Sequence, residues 1–168
     1  ESRGSEMCIR DSLESDLFNS GMRPAVNVGL SVSRVGGAAQ TKAMKKAAGT
    51  IRIDLAQYRE MEVFTQFSSD LDDATKEQLQ YGKGLMELLK QPLCHPMSLA
   101  DQVITLVTAN NRLLLDVETK QTKDFQLRLL DFFHAEHKDI VDELNNNKVL
   151  NEELTEKIVA AVKEFKSR

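Results

Sequence analysis

Residues 31–40, SVSRVGGAAQ, hold the residue types of this chain that are best suited to handling a phosphate. Arg34 carries a planar guanidinium with a permanent charge, and it follows the hydroxyl residues Ser31 and Ser33. A guanidinium can form a pair of parallel hydrogen bonds to a phosphate. From the residues alone, an exposed ion pair is the commoner role for an arginine, so both interpretations stay open.

Gly36 and Gly37 suggest a second way of binding an anion. A glycine turn before a helix lets backbone N–H groups approach a phosphate at the positive end of that helix. However, the phosphate-loop spacing GxxxxGK[ST] occurs nowhere in the sequence. A glycine turn that serves close packing is therefore the favoured interpretation, and the phosphate cradle is the alternative.

Two further motifs invite a catalytic or metal interpretation. His134 and His137 are too close for the HExxH pattern, and His137 shares helical spacing with apolar residues, which predicts a histidine at the core edge. Cys94 and His95 lie between prolines without an identifiable orienting group, which predicts a loop. The sequence thus predicts no metal ligands.

Composition excludes several classes of protein. The 168 residues are 41% hydrophobic and 29% charged, as in soluble globular chains. The net charge of −4 comes from acids and bases mixed along the chain, which disfavours nucleic acid as a partner. A run of about 18 apolar residues and a signal-peptide pattern are both missing. Cys8 and Cys94 lack metal or disulfide spacing, so free thiols are expected.

The elements that must position these residues change along the chain. Residues 1–12 carry no periodicity and resemble translated sequencing-adapter sequence, so we expect them to be non-native. Residues 13–37 are rich in glycine and predict loop and short strand, as at the end of a sheet domain whose beginning is missing. After Gly49, apolar residues recur at helical spacing and predict five or six helices in all.

The first three predicted helices lead up to the proline-containing loop. One begins after Gly37 and runs through Ala38 to Lys46. The next covers about 51–67 and is apolar on two sides, which predicts a central, largely buried helix. The third follows the acidic cluster at 70–73, ends near 90, and contains two glycines that weaken its middle.

The last three helices have clearer start signals. Ser98 and Asp101 resemble a capping box that opens a helix to about Asn110. A single apolar stripe then predicts one helix from about 125 to 144, stopping in the asparagines at 145–147. Asn151 is the predicted cap of the final helix.

The segment SDLFNSGMRPAVNVGLSVSRVGGAAQTKAMKK, at 15–46, resembles a characteristic strand-loop-helix near the end of the nucleotide-binding domain of F-type ATP synthase alpha subunits. The similarity continues through LAQYREMEVFTQFSSDLD at 55–72 and GLMELLKQP at 84–92, and then thins into a general helical match. It implies a mainly α fold: a helical bundle over 41–168, preceded by a strand and loop remnant of a truncated α/β nucleotide-binding domain over 13–40.

In that family, alternating alpha and beta subunits form a hexameric ring around a rotating stalk, and proton flow through a membrane sector drives ATP synthesis. The resemblance implies a fragment of an alpha subunit, with beta, gamma and delta subunits as partners. It also implies a peripheral location on the cytoplasmic face of a bacterial plasma membrane, with membrane contact only through the membrane sector.

The same resemblance assigns a residue to the arginine finger, the arginine that an alpha subunit contributes to the catalytic site of the neighbouring beta subunit. The family's arginine finger falls on Arg34, which would act in trans on the terminal phosphate. Ser31 and Ser33 match the hydroxyl residues of that motif, and they are expected to shape the same interface.

A second nucleotide site is implied within the alpha subunit itself. Arg23, Pro24 and Gln91 match positions that line the adenine of a noncatalytic nucleotide, whereas Leu93 stands where the family commonly has glutamine. ATP or ADP with Mg²⁺ would be the cofactor of the complete subunit. Because the phosphate loop and the magnesium-handling residues are missing here, the isolated fragment is expected to be inactive.

Two alternatives to this assignment follow from the residues. One is a free-standing helical module that recruits a partner through its acidic faces and has no nucleotide role. The other is a small nucleotide-binding enzyme built on Gly36 and Gly37, which the missing phosphate loop disfavours.

Overall fold

Helices make up most of the computed structural model, which describes residues 13–28, 34–65 and 72–168. We label the helices α1 Ser15–Asn19, α2 Arg34–Ala39, α3 Lys42–Ala48, α4 Ile51–Thr65, α5 Asp73–Leu89, α6 Leu99–Asn110, α7 Thr122–Glu136, α8 Lys138–Asn147 and α9 Glu152–Ser167. Within the described ranges, β pairing is limited to an isolated antiparallel bridge between Leu13 and Val26. The predicted mainly α bundle is confirmed.

Helix α6 lies at the centre of the bundle. It packs against α3, α5, α7, α8 and α9. Seven of its twelve residues are buried, so this helix removes much of its apolar surface from water. Its first turn is capped as predicted, because the Ser98 hydroxyl accepts a hydrogen bond from the Asp101 N–H at 3.2 Å.

The prediction that α4 is the central, largely buried helix is wrong on one side. Ile51, Leu55 and Tyr58 are buried, with α5 as the principal packing partner. On the opposite side, Ile53 is 60% exposed and Val63 is 56% exposed. The apolar pattern alone does not show which partner covers a face, and α6 occupies the centre instead.

The predicted first helix is also different in the structure. Helix α2 already begins at Arg34 and ends at Ala39. A separate helix, α3, then starts after Thr41, whose hydroxyl caps it by accepting a hydrogen bond from the Met44 N–H at 3.3 Å. In addition, α1 lies in a stretch predicted to be loop and short strand. The Thr41 cap therefore starts a separate helix at a point where one continuous helix was predicted.

The predicted fifth helix is two helices, α7 and α8, which are separated at His137. The backbone angles of His137, φ −123° and ψ 43°, lie outside the helical region. Phe133 before the break and Leu144 after it are both fully buried. The apolar stripe was correctly predicted, but it continues across a bend that the stripe itself does not show.

Helix α9 agrees with its prediction. The Asn151 side chain accepts from the Leu154 N–H at 2.7 Å, as expected of an N-cap. Leu154, Ile158 and Val162 are buried on the same stripe. Along the described helices, none combines the length and hydrophobicity needed to cross a membrane.

The contact between α4 and α5 depends on a missing side chain. Helix α5 continues through Gly82 and Gly84, and both glycines are buried. A Cβ on Gly82 would lie 2.6 Å from Tyr58 Cβ and closer still to the ring, whereas a Cβ on Gly84 would have nothing within 4 Å. Gly82 thus permits the close approach of Tyr58, and Gly84 has no such role.

These two glycines give a matched pair of substitutions in one helix. We expect Gly82→Ala to lower the free energy of unfolding by about 1–3 kcal/mol, because the new methyl group overlaps Tyr58. Gly84→Ala should raise it by up to about 1 kcal/mol, because alanine favours the helix and meets no neighbour. Urea denaturation followed by circular dichroism measures both. A stabilising Gly82→Ala would contradict the close contact.

Candidate functional site

The structure brings together the three residues that the resemblance assigns to adenine. The Gln91 N–H donates a hydrogen bond to the Arg23 carbonyl at 2.8 Å, although the two residues are far apart in the sequence. Pro24 follows Arg23 across a cis peptide bond. All three residues are exposed. They therefore form one accessible surface at the end of α5.

The Arg23 side of this surface is held by the segment before α2. The Arg23 guanidinium lies over the Phe18 ring of α1, 4.7 Å from its centroid, in a cation–π contact. The Glu14 N–H donates to the Ala25 carbonyl at 3.0 Å and closes the loop between them. Met22, the residue before Arg23, is buried at 4% exposure.

The Gln91 side is held by the end of α5. Lys90 has an extended backbone conformation, with φ −66° and ψ 131°, and the helix therefore ends before it. The last carbonyls of α5 then lack helical partners, as at any helix end. The Lys123 ammonium of α7 satisfies part of this need, because it donates to the Leu88 carbonyl at 3.3 Å and to the Lys90 carbonyl. Burial lowers the pKa of Lys123 below its ordinary value.

An open groove of about 700 Å³ runs from this surface along α7. Its wall includes Gln91, Pro92, Lys123 and Gln126. Sequence reasoning missed Lys123 and Gln126. The available signal was Gln126 itself, a polar residue on the otherwise apolar stripe of α7, where it is only 3% exposed.

Arg34 is the first residue of α2. Ser31 and Ser33 lie outside the described residues. The finger role of Arg34 and the interface role of the two serines therefore stay predictions from the resemblance.

Gly36 and Gly37 do not form the predicted turn. Both lie inside α2, and the Gln40 N–H donates to the Gly36 carbonyl at 3.2 Å. A Cβ on Gly37 would have nothing within 4 Å, so close packing does not require a glycine there. The predicted turn is wrong because the helix starts before the glycines, and a packing role is wrong for Gly37.

The histidine motif separates into two environments. His134 Nε2 lies 2.8 Å from Asp101 Oδ1 on α6. His137 contacts the rings of Phe132 and Phe133, with centroids 5.0 and 5.6 Å away, so it lies at the core edge as its spacing predicted. In the described part of the chain, no group of three or more possible ligands is arranged to hold a metal ion.

Cys94 lies in the loop between α5 and α6, as predicted. It is exposed and adopts a left-handed backbone conformation with φ 61°. Its neighbour His95 lines the groove that Gln91 borders. A hydrogen bond between Cys94 and a base is not among the contacts of the described residues, so this pair carries no assignment.

Comparison with known proteins adds a family to this geometry. The model of the family described as ATP synthase alpha/beta chain, C terminal domain, matches residues 40–165. The matched stretch begins between α2 and α3 and includes every helix from α3 to nearly the end of α9. The matched region is the bundle around α6, and it includes Gln91 and Lys123. The chain therefore belongs to the family of C-terminal domains shared by the alpha and beta chains of ATP synthase.

Proposed function

We propose that this chain is the C-terminal part of the alpha subunit of an F-type ATP synthase. In the complete complex it would contribute to ATP synthesis driven by a proton gradient, and to ATP hydrolysis. The observation that carries the proposal is the hydrogen bond from the Gln91 N–H to the Arg23 carbonyl. The family match does not distinguish alpha chains from beta chains. The contact between Arg23 and Gln91, together with the SVSR motif, favours an alpha chain.

The first proposed role is to bind the adenine of a noncatalytic nucleotide. Gln91 offers an acceptor oxygen and a donor NH₂ group, which suit the ring nitrogens and exocyclic amine of adenine. Pro24 offers an apolar ring and Arg23 a planar guanidinium, and the cation–π contact with Phe18 limits the freedom of Arg23. The phosphates and Mg²⁺ of ATP or ADP would be held by the phosphate loop, which this sequence does not contain.

The second proposed role belongs to Arg34, which would reach the catalytic site of the adjacent beta subunit. A guanidinium placed against the terminal phosphoryl group stabilises the charge that develops in the transition state. Ser31 and Ser33 would shape the interface that aims it. Turnover would then be a property of the assembled ring.

The proposed partners follow from this assignment. They are beta subunits in the alternating ring, gamma in the central stalk and delta in the peripheral stalk. The chain would lie on the cytoplasmic face of a bacterial plasma membrane as part of the catalytic core complex. Its contact with the membrane would pass through the membrane sector, which carries the hydrogen ions.

Arg34→Ala in the assembled complex tests the catalytic role. We expect cooperative ATP turnover to fall by a factor of about 10³ to 10⁵, because the transition-state charge loses its partner. Assembly of the ring should be unchanged. Arg128→Ala is the matched control, since the Arg128 side chain on α7 is 68% exposed. Steady-state hydrolysis and gel filtration provide the measurements, and unchanged turnover in Arg34→Ala would contradict the finger role.

Leu93→Gln tests the adenine role by restoring the family's commoner residue. Leu93 is 89% exposed, so the substitution has little folding cost. One added hydrogen bond should strengthen ATP binding at the noncatalytic site by a few-fold to about tenfold. Fluorescence titration of the assembled complex with an ATP analogue measures this change.

Val149→Gln serves as the control for Leu93→Gln, because Val149 is also exposed but lies between α8 and α9. Its affinity for ATP should equal that of the unchanged complex. Equal or weaker binding in Leu93→Gln would place residue 93 outside the adenine site. A free-standing interaction module would respond to neither Arg34→Ala nor Leu93→Gln.

A further inference from the structure

The peptide group that joins Lys90 to Gln91 is held from two sides. Its carbonyl accepts a hydrogen bond from Lys123 Nζ, and its N–H donates to the Arg23 carbonyl at 2.8 Å. The C=O and N–H of a trans peptide point in opposite directions. The two partners therefore lie on opposite sides of one planar group, and rotating that group would break both bonds.

The Lys123 ammonium is itself fixed. Besides the carbonyls of Leu88 and Lys90, it donates to Gln126 Oε1 at 2.7 Å. An ammonium has three N–H donors, so these three acceptors use its full capacity. An exposed lysine samples many rotamers, whereas these three hydrogen bonds restrict the Lys123 side chain beside the end of α5.

The acceptor Gln126 connects Lys123 to the centre of the bundle. Gln126 is only 3% exposed, and its Nε2 donates to the Thr105 hydroxyl of α6 at 3.2 Å. Thr105 is 6% exposed. A buried amide that lost one of these partners would carry a desolvation cost. The network therefore fixes the Lys123 ammonium relative to α6.

We propose that Lys123 is a positioning residue for the adenine surface: it fixes the Lys90–Gln91 peptide and thereby the direction in which the Gln91 side chain leaves the backbone. This inference rests on the proposed adenine role of Gln91. Lys123 lies on the groove wall beside Gln91, and the inference assigns it no contact with the nucleotide.

A purely structural role for Lys123 predicts a different result. An ammonium near the last carbonyls of α5 stabilises that helix end through its charge and hydrogen bonds. Losing such a cap lowers stability, but it leaves the choice between nucleotide bases unchanged. Positioning of Gln91 additionally predicts a change in base preference and in the protection of the Gln91 amide.

Lys123→Met in the assembled complex separates these roles, because methionine keeps much of the apolar stem and removes the N–H donors. We expect ATP affinity at the noncatalytic site to fall about tenfold, the scale of one lost charge-assisted hydrogen bond. GTP affinity should fall less, so the preference for ATP should shrink. Hydrogen–deuterium exchange followed by mass spectrometry should show faster exchange in the peptide that contains Gln91.

Lys120→Met is the matched control, since Lys120 is exposed in the neighbouring 3₁₀ turn. It should leave ATP affinity, base preference and exchange unchanged. If Lys123→Met assembles poorly, Lys123→Gln keeps an uncharged NH₂ donor group on a shorter side chain and is measured in the same way. An unchanged ATP-to-GTP preference with unchanged exchange at Gln91 in the assembled variant overturns the inference.

Gln91→Ala, measured in parallel, distinguishes this inference from the function on which it rests. If Gln91→Ala weakens ATP binding and Lys123→Met does not, only the positioning role is wrong. If Gln91→Ala leaves ATP binding unchanged, the adenine site itself is wrong, and the positioning role falls with it. Loss of ATP preference in both variants supports both proposals.

Discussion

The burial of α6 is the constraint on which the rest of the structure depends. Five helices cover it, so each of them must keep an apolar face toward the same axis. Burial on this scale removes a large apolar area from water, at roughly 25 cal/mol per Å². Polar groups of α6 are buried along with the apolar ones. The Thr108 hydroxyl donates a hydrogen bond to the Ile104 carbonyl of the same helix at 2.8 Å, whereas the Thr105 hydroxyl accepts one from Gln126 of α7.

The hydrogen bond between Thr105 and Gln126 begins a network that extends from the core to the surface. Gln126 bonds to Thr105 with its NH₂ group and accepts from Lys123 with its oxygen, and Lys123 then reaches the carbonyls at the end of α5. A buried polar group needs partners, and here each member satisfies the next. The geometry of the proposed site at Gln91 is thus linked, through Lys123 and Gln126, to the hydrogen-bonding needs of buried Thr105 on the central helix.

The sequence was informative where the determining signal is local. The caps at Ser98 and Asn151 were predicted because a side-chain oxygen placed before an apolar run favours a helix start at that point. The break at His137 was missed because both halves share one stripe. The exposure of Ile53 was missed because an apolar pattern does not identify the element that covers it.

The same distinction applies to the candidate site. Arg23, Pro24 and Gln91 could be named only through a family resemblance, since nothing in their types or spacing marks them as a group. Lys123 could not be named at all from the sequence, because its role depends on carbonyls more than 30 positions away. Long-range hydrogen bonds of this kind become visible only once the helices are packed.

The relative strength of the contacts around Arg23 shows what holds the proposed adenine surface together. The Gln91–Arg23 hydrogen bond is a neutral backbone pair, which contributes about 0.5–1.5 kcal/mol. Burying Met22 contributes about 1.5–3 kcal/mol, and Val28 adds to this by packing on the cluster of α4 and α5. The ion pair between Glu14 and Arg59, at 3.9 Å and partly exposed, contributes less. Hydrophobic packing of Met22 and Val28 therefore holds the segment around Arg23 in place. The Gln91–Arg23 hydrogen bond sets the orientation of the Gln91 backbone relative to this segment.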